Sequence, residues 1–194
     1  MKKRIALLAA AVLALTACSS SAGTEVDMKN IDEYRPSETA EEEELSFVTE
    51  GETAPDIPII KLDGTEAKVS DYFDKPTLFV FWATWCSNCV AEMPGVQMLA
   101  DKYGGDINIL ALNASDVAED ISEFMEENEY TFEAARVSLE DSLYYYAQSI
   151  PITVVTDKDG VVQAYFRGSI DGEQMFSQYF DPLFTDLVEE AKGA

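Results

Sequence analysis

The chain has 194 residues, of which 13 are basic and 37 acidic, giving a formal net charge of −24. It has no histidine, which excludes Ser-His-Asp and Cys-His catalysis and any histidine-ligated metal. Three cysteines are too few for a disulfide-dense scaffold. The acidity argues against a nucleic-acid partner, whose phosphates are held by Lys and Arg.

Lys2, Lys3 and Arg4 precede Ile5–Ala17, a stretch without a charge. It is short for a membrane-spanning helix, which needs about 20 apolar residues, and has the proportions of a secretory signal. The run Leu15-Thr16-Ala17-Cys18 that ends it resembles a bacterial lipobox. That resemblance implies cleavage before Cys18 and acylation of Cys18. Residues 1–17 are then a lipoprotein signal peptide, and Cys18 is a lipid anchor outside the cytoplasmic membrane. Residues 18–50 hold Glu41-Glu42-Glu43-Glu44 and little apolar periodicity. They are expected to be an acidic, disordered tether that spaces a domain from the membrane. The folded domain is expected over residues 51–194.

Ile57–Leu62, Asp63-Gly64 and Thr65–Val69 read as a β-hairpin around a D-G turn. Ser70 is placed to cap a short helical turn through Phe73. Thr77–Ala83 is apolar without alternation, the pattern of a strand buried on both faces. A helix is predicted over Ser87–Tyr103, with Val90, Met93, Val96, Leu99, Ala100 and Tyr103 as its apolar stripe and Gly104-Gly105 ending it. Ile107–Asn113 reads as a second buried strand and Val117–Asn128 as a helix with Val117, Ile121, Phe124 and Met125 inward. Phe132–Val137 is a short strand, Leu139–Ala147 a short helix, and Ile152–Thr156 with Val161–Arg167 a hairpin about Asp159-Gly160. The tail from Asp171 to Ala191 is helical, restarted at Pro182. Interleaved βα units followed by a hairpin predict an α/β domain with a mixed sheet and helices on both faces.

Cys86-Ser87-Asn88-Cys89 lies where the buried strand meets the first long helix. A cysteine at a helix N-terminus is biased toward the thiolate, the attacking species in disulfide exchange. Cys86 is therefore the candidate nucleophile, and Cys89, one turn in, the resolving thiol. Zinc would need about two further ligands, which this chain does not offer as His or a second Cys pair. A permanent structural disulfide is the competing reading, although so small a loop gives little entropic stabilisation.

Around that motif the sequence resembles the thioredoxin superfamily, and within it the membrane-anchored TlpA/ResA-like thiol-disulfide oxidoreductases. The resemblance runs from about Ala54 to Leu187. It is carried in order by Ala54-Pro55-Asp56, Asp63-Gly64, Val69-Ser70-Asp71-Tyr72, Lys75-Pro76, Phe81-Trp82-Ala83-Thr84-Trp85-Cys86, Glu92-Met93-Pro94, Ile150-Pro151 and Asp157-Lys158-Asp159-Gly160. It implies a thioredoxin-like fold with an N-terminal β-hairpin extension, and no cofactor beyond the Cys86–Cys89 redox pair. It also implies that Pro151 is a cis-proline beside the cysteines and that the backbone of Ile150 pairs with a substrate chain. Glu92 would tune the thiols, with a solvated helix glutamate as the competing reading, and Trp85 would shield the disulfide and meet the partner. Implied partners are client proteins with disulfides and an integral-membrane thiol electron donor. Clients of cytochrome c maturation or oxidised surface proteins are the family-level candidates.

The sequence departs from that pattern in three places. Ser87-Asn88 stands where many relatives carry a proline, Val80 where thioredoxin has a buried aspartate, and Ile150 is apolar. Two other enzyme readings compete: a disulfide-forming oxidase, and a peroxidase-like enzyme. The latter would pair a reactive Cys with a Thr and an Arg, and here Thr84 precedes Cys86 while the nearest basic residues in sequence are Lys75 and Lys102. A third reading is a metal- or haem-binding chaperone that uses the cysteines with Met93 or Met98.

Overall fold

The Asp63–Gly64 turn folds β1 (Pro58–Lys61) antiparallel onto β2 (Glu66–Lys68). Gly64 supplies the positive φ, 86°, and donates to the Lys61 carbonyl at 2.9 Å. In the computed structural model, which describes residues 47–168 and 171–193, this hairpin is one edge of a seven-stranded sheet. The expected signal peptide, Cys18 and the tether up to residue 46 lie outside the described residues. Packing begins ahead of the expected Gly51 start. Val48 is buried and donates to the Tyr144 carbonyl at 2.8 Å, and Phe47 stacks on Tyr146.

The following turn, Val69–Tyr72, is 3-10 in form and is not capped by Ser70. Asp71 accepts the Lys68 N–H, and Asp56 accepts the Ser70 N–H, so carboxylates from both flanks displace the hydroxyl. β3 (Thr77–Trp82) is buried along its whole length. It leads into α1 (Ser87–Tyr103), β4 (Asn108–Asn113), α2 (Ala118–Glu127) and β5 (Glu133–Val137). α3 (Leu139–Ser142) and a 3-10 turn, Leu143–Tyr145, precede the hairpin of β6 (Ile152–Thr156) and β7 (Val162–Arg167). The order across the sheet is β2-β1-β5-β4-β3-β6-β7. β3, β4 and β5 are mutually parallel, and the outer strands are antiparallel to their inner neighbours.

One face packs Met93, Val96 and Leu99 of α1 and Ile121 of α2 on Leu78, Val80 and Ala111. The other packs Ile57, Tyr145 and Ala147 on Phe79, Phe81 and Leu112. The buried face of α1 differs from the predicted stripe. Glu92 and Gly95 are buried on it, whereas Val90, Ala100 and Tyr103 are half-buried. Pro94 sits inside α1 on its exposed side, and the helix runs through it.

The tail is broken differently from the single restart expected. Asp171 caps the short α4 (Gly172–Met175) by accepting from the Glu173 and Gln174 amides. A π-helical turn, Phe176–Phe180, then runs directly into α5 (Asp181–Gly193), whose second residue is Pro182. Gly95 and Gly172 let α4 lie directly on α1. A Cβ on Gly95 would stand 2.1 Å from the Gly172 carbonyl oxygen.

Candidate functional site

Parallel strands end together, and the loops beyond their C-terminal ends are where such sheets place their sites. β3 ends at Trp82, and the chain turns through Ala83–Cys86, closed by the Cys86 N–H donating to the Ala83 carbonyl at 3.2 Å. Cys86 is the N-cap of α1, and the Cys89 N–H points at its Sγ from 3.3 Å. The two sulfurs are bonded to each other. Cys86 keeps 8% of its surface exposed and Cys89 none, so a partner in solution reaches Cys86 first.

The antiparallel register of β3 with β6 sets Phe81 opposite Ile152 and brings the residues before Ile152 to the disulfide. The Ile150–Pro151 peptide bond is cis, and the Ile150 carbonyl oxygen lies 3.8 Å from the Cys86 Sγ. Gly168 of the following hairpin donates to the Pro151 carbonyl at 2.9 Å. Ile150 is half-buried, and Trp85 stands out with 70% of its surface exposed.

Glu92 has no exposed surface. It lies three residues after Cys89 on the same helical face, a spacing that places Cβ atoms about 5–6 Å apart. The Thr153 hydroxyl donates to its Oε1 at 2.7 Å, and its Oε2 has no hydrogen-bond partner among the described residues. Thr153 reaches it because the register pairs Thr153 with Val80. Burial pushes the Glu92 carboxyl up to about 7, partly offset by the Thr153 hydroxyl. A solvated helix glutamate is therefore not what the fold makes of this residue.

Four polar residues at the site carry no motif in sequence: Thr153, Asn113, Ser115 and Asp116. Asn113, at the end of β4, is buried, and its Oδ1 accepts from the Ser115 and Asp116 amides, each at 2.9 Å. Asp116 Oδ2 accepts from Asn113 Nδ2 at 2.7 Å and from the Thr84 N–H at 2.8 Å. Ser115 Oγ accepts from Trp85 Nε1 at 3.2 Å. The loop after β4 thus holds the two residues that lead into Cys86. The available signal was an Asn-Ala-Ser-Asp run at the C-terminal end of a buried strand, on the same side of the sheet as the CxxC.

Among the described residues no group of three or more His, Cys, Asp or Glu side chains is arranged to hold a metal ion. Met93 is fully buried while Met98 is exposed, so α1 does not turn both toward the cysteines. What this arrangement does chemically is exchange two electrons between a dithiol and a disulfide.

A Cys-x-x-Cys disulfide that opens a helix, beside a cis-proline and at the end of a parallel strand, defines the thiol-disulfide oxidoreductases with a thioredoxin-like fold. The chain belongs to the AhpC/TSA family, whose model matches residues 51–171. Within that family it is similar to the thiol-disulfide oxidoreductase ResA of Geobacillus thermodenitrificans. The two are 31% identical over 135 residues, 68% of this chain and 77% of ResA. Its fold matches that of a thioredoxin-family thiol:disulfide interchange protein from Chlorobium tepidum, with a TM-score of 0.60 at 16% identity, over 73% of this chain and 99% of that one. It also matches the pneumococcal exposed lipoprotein thioredoxin Etrx1 of Streptococcus pneumoniae, with a TM-score of 0.55 at 22% identity, over 68% and 99%.

Proposed function

We propose that this protein is a lipid-anchored, extracytoplasmic reductase of protein disulfides. The observation that carries the reading is the Cys86–Cys89 pair at the head of α1, where of the two only Cys86 keeps any exposed surface, with the Ile150 carbonyl beside it. In the reduced protein the Cys86 thiolate attacks one sulfur of a client disulfide. The client S–S bond breaks, a Cys86–client bond forms, and the leaving client thiolate takes up a proton. Cys89 then gives its proton to the neighbouring carboxylate or to water and attacks the Cys86 sulfur. The second client thiol departs and the Cys86–Cys89 disulfide forms. Two electrons and two protons have passed to the client, and no other cofactor is used.

Glu92 is the group positioned to hold and release a proton in this sequence, because it ionises near neutral pH on the Cys89 face of α1. Trp85, Ile150 and Pro151 form the surface on which a client chain lies. Re-reduction requires a thiol electron donor, which we assign to an integral-membrane protein. The basic start, the uncharged stretch and Cys18 support a lipoprotein anchor, as does likeness to a protein named an exposed lipoprotein thioredoxin. Clients of cytochrome c maturation or oxidised surface proteins fit a reductase so placed.

The test is trapping. Cys89→Ala stops resolution and leaves the client bound to Cys86. A covalent complex released by reductant, and absent from a Cys86→Ala chain, is the expected result. A Cys89→Ala chain that accumulates no mixed disulfide in its native cells overturns the reading.

A further inference from the structure

The turn that delivers Cys86 is fastened from outside itself. Ala83–Cys86 closes by one bond, from the Cys86 N–H to the Ala83 carbonyl, and the Thr84 N–H takes an acceptor elsewhere. That acceptor is Asp116, whose Oδ2 lies 2.8 Å away across a sequence separation of 32. The parallel pairing of β3 with β4 brings the two together by setting Trp82 opposite Asn113. Asn113 has no exposed surface and grips Asp116 twice. Its Oδ1 accepts from the Asp116 amide at 2.9 Å, and its Nδ2 donates to the same Oδ2 at 2.7 Å. One carboxylate oxygen is thus fixed by a buried side chain on one side and holds the cysteine turn on the other.

Nothing cationic offsets that carboxylate. Asp116 makes no ion pair among the described residues, and both donors on its Oδ2 are neutral. Residues 83–90, 114–120 and 147–150 contain no Lys or Arg. Two residues of chain span at most about 7 Å, so a carboxylate on the Thr84 amide stands on the order of 10 Å from Cys86, about one Debye length at 0.1 M salt. The other groups able to carry charge around the cysteines are few. Glu92 is buried on the Cys89 face of α1, Glu119 and Asp120 are exposed on the first turn of α2, and Asp171 is engaged as the cap of α4, with Glu173 exposed beyond it. Arg167, opposite Ile152 on β7, is bonded to the Tyr165 hydroxyl and lies over the Tyr146 ring.

We infer that Asp116 is a positioning residue for exchange at Cys86, with two separable effects: its bond to Thr84 holds Cys86 against Cys89, and its charge disfavours the Cys86 thiolate. This rests on the reductase reading above and adds a residue that biases the pair in that direction. When a partner sulfur sits on Cys86, Cys89 must meet the Cys86 sulfur in line. A fastened turn keeps Cys86 at the N-cap, one helical turn from Cys89, and raises the effective concentration of the resolving thiol. A thiolate near a fixed anion is also less stable, so the reduced pair gives up its electrons more readily. The two effects come apart by substitution. Because one oxygen takes both bonds, Asp116→Asn keeps both through its carboxamide oxygen and loses only the charge, whereas Asp116→Ala loses the charge and the tie.

The experiment uses the full chain, reduced, with glutathione disulfide as the probe. Cys86 attacks it and releases one glutathione; Cys89 then attacks the Cys86 sulfur, releases the second and closes the Cys86–Cys89 disulfide, so two electrons leave the pair. Alkylation by iodoacetamide across pH, followed on the Cys86 peptide by mass, gives the inflection of the thiol. Both variants are expected to move it about 0.5 pH units lower, a threefold gain in thiolate. Closure of the Cys86–glutathione intermediate is expected within about twofold of wild type in Asp116→Asn and about tenfold slower in Asp116→Ala. At pH 9, where thiolate predominates, the equilibrium with glutathione then falls about threefold and about thirtyfold, which raises the potential by about 14 mV and about 44 mV. A role confined to folding would change unfolding stability and move neither the inflection nor the closure rate, and Asp116→Asn reads the charge effect even where Asp116→Ala folds poorly. An inflection at the wild-type pH in both variants, or closure in Asp116→Ala as fast as in wild type, overturns the inference while exchange continues. A wild-type chain that does not reduce glutathione disulfide overturns the reductase reading, and this inference with it.

Discussion

A carboxyl group with no exposed surface keeps its proton to higher pH, because ionisation there proceeds without solvent. Glu92 is such a group, raised from 4.5 to about 7. Between those values the folded chain holds a proton that the unfolded chain has released. Stability from this group is therefore full below about pH 4.5, falls as pH rises, and is level above about pH 7. Glu92→Gln keeps the Thr153 contact and removes the ionisation. Urea unfolding is expected to find the variant more stable than wild type at pH 8 by on the order of 3 kcal/mol, with most of that advantage gone at pH 5. Its exchange rate at neutral pH falls on the order of 10²-fold, and the inflection near pH 7 disappears. Thr153→Val removes the bond that favours the charged form and moves the wild-type inflection upward. An unchanged pH profile in both variants would show that Glu92 does not take part in exchange. The resemblance named Glu92 as a candidate for tuning the thiols, but its burial was not readable from the sequence. Its neighbours on α1 mark a helix, but the partner that fixes its state, Thr153, is supplied by the pairing of β6 with β3.

The elements that meet at the site were legible wherever the signal was local. The Asp63–Gly64 turn, the strand-to-helix position of Cys86 and the ends of α1 each follow from a few adjacent residues. The capping of Val69–Tyr72 was misplaced on Ser70, because Asp56 comes from fourteen residues away to take its amide. The contacts of the loop after β4 were hidden for the same reason, although its Asn-Ala-Ser-Asp run follows a buried strand. Asn113 and Asp116 read as ordinary loop polars until the parallel pairing of β3 and β4 sets Trp82 opposite Asn113 and Thr84 within reach of Asp116. The crossing of α1 and α4 is another tertiary fact, built on two glycines. At Gly95 an added methyl meets backbone atoms of Gly172 that have no rotamer to yield. Gly95→Ala gains helix propensity of up to about 1 kcal/mol and loses more by overpacking, so a net loss of about 2 kcal/mol is expected. Gly105→Ala, where a Cβ meets nothing within 4 Å, is the matched comparison. Thermal unfolding of both variants checks this, and an undiminished Gly95→Ala melting temperature would mean that α4 can move off α1 freely.

At the scale of the molecule, the mixed sheet with helices on both faces was legible from the order of buried strands and amphipathic helices. Its width was not. That the N-terminal hairpin docks on β5 and extends one sheet to seven strands depends on the register of Ile59 with Val137. The direction of electron flow likewise belongs to the whole molecule, since it sums opposing effects on the thiolate. The α1 N-terminus and the Cys89 amide favour it by about 0.3–1 kcal/mol, in a couple where 30 mV corresponds to about 1.4 kcal/mol. The Glu92 carboxylate, buried on the same helical face, opposes it once ionised. A strong disulfide oxidant depends on a well-stabilised thiolate, and residues 83–90, 114–120 and 147–150 contain no Lys or Arg to provide one. The measurement that tests the central claim most directly is the reduction potential of the Cys86–Cys89 pair on the full chain in defined thiol buffers. The account predicts a value at the reducing end, near about −270 mV, and a value near about −120 mV would contradict it and make the protein a donor of disulfides.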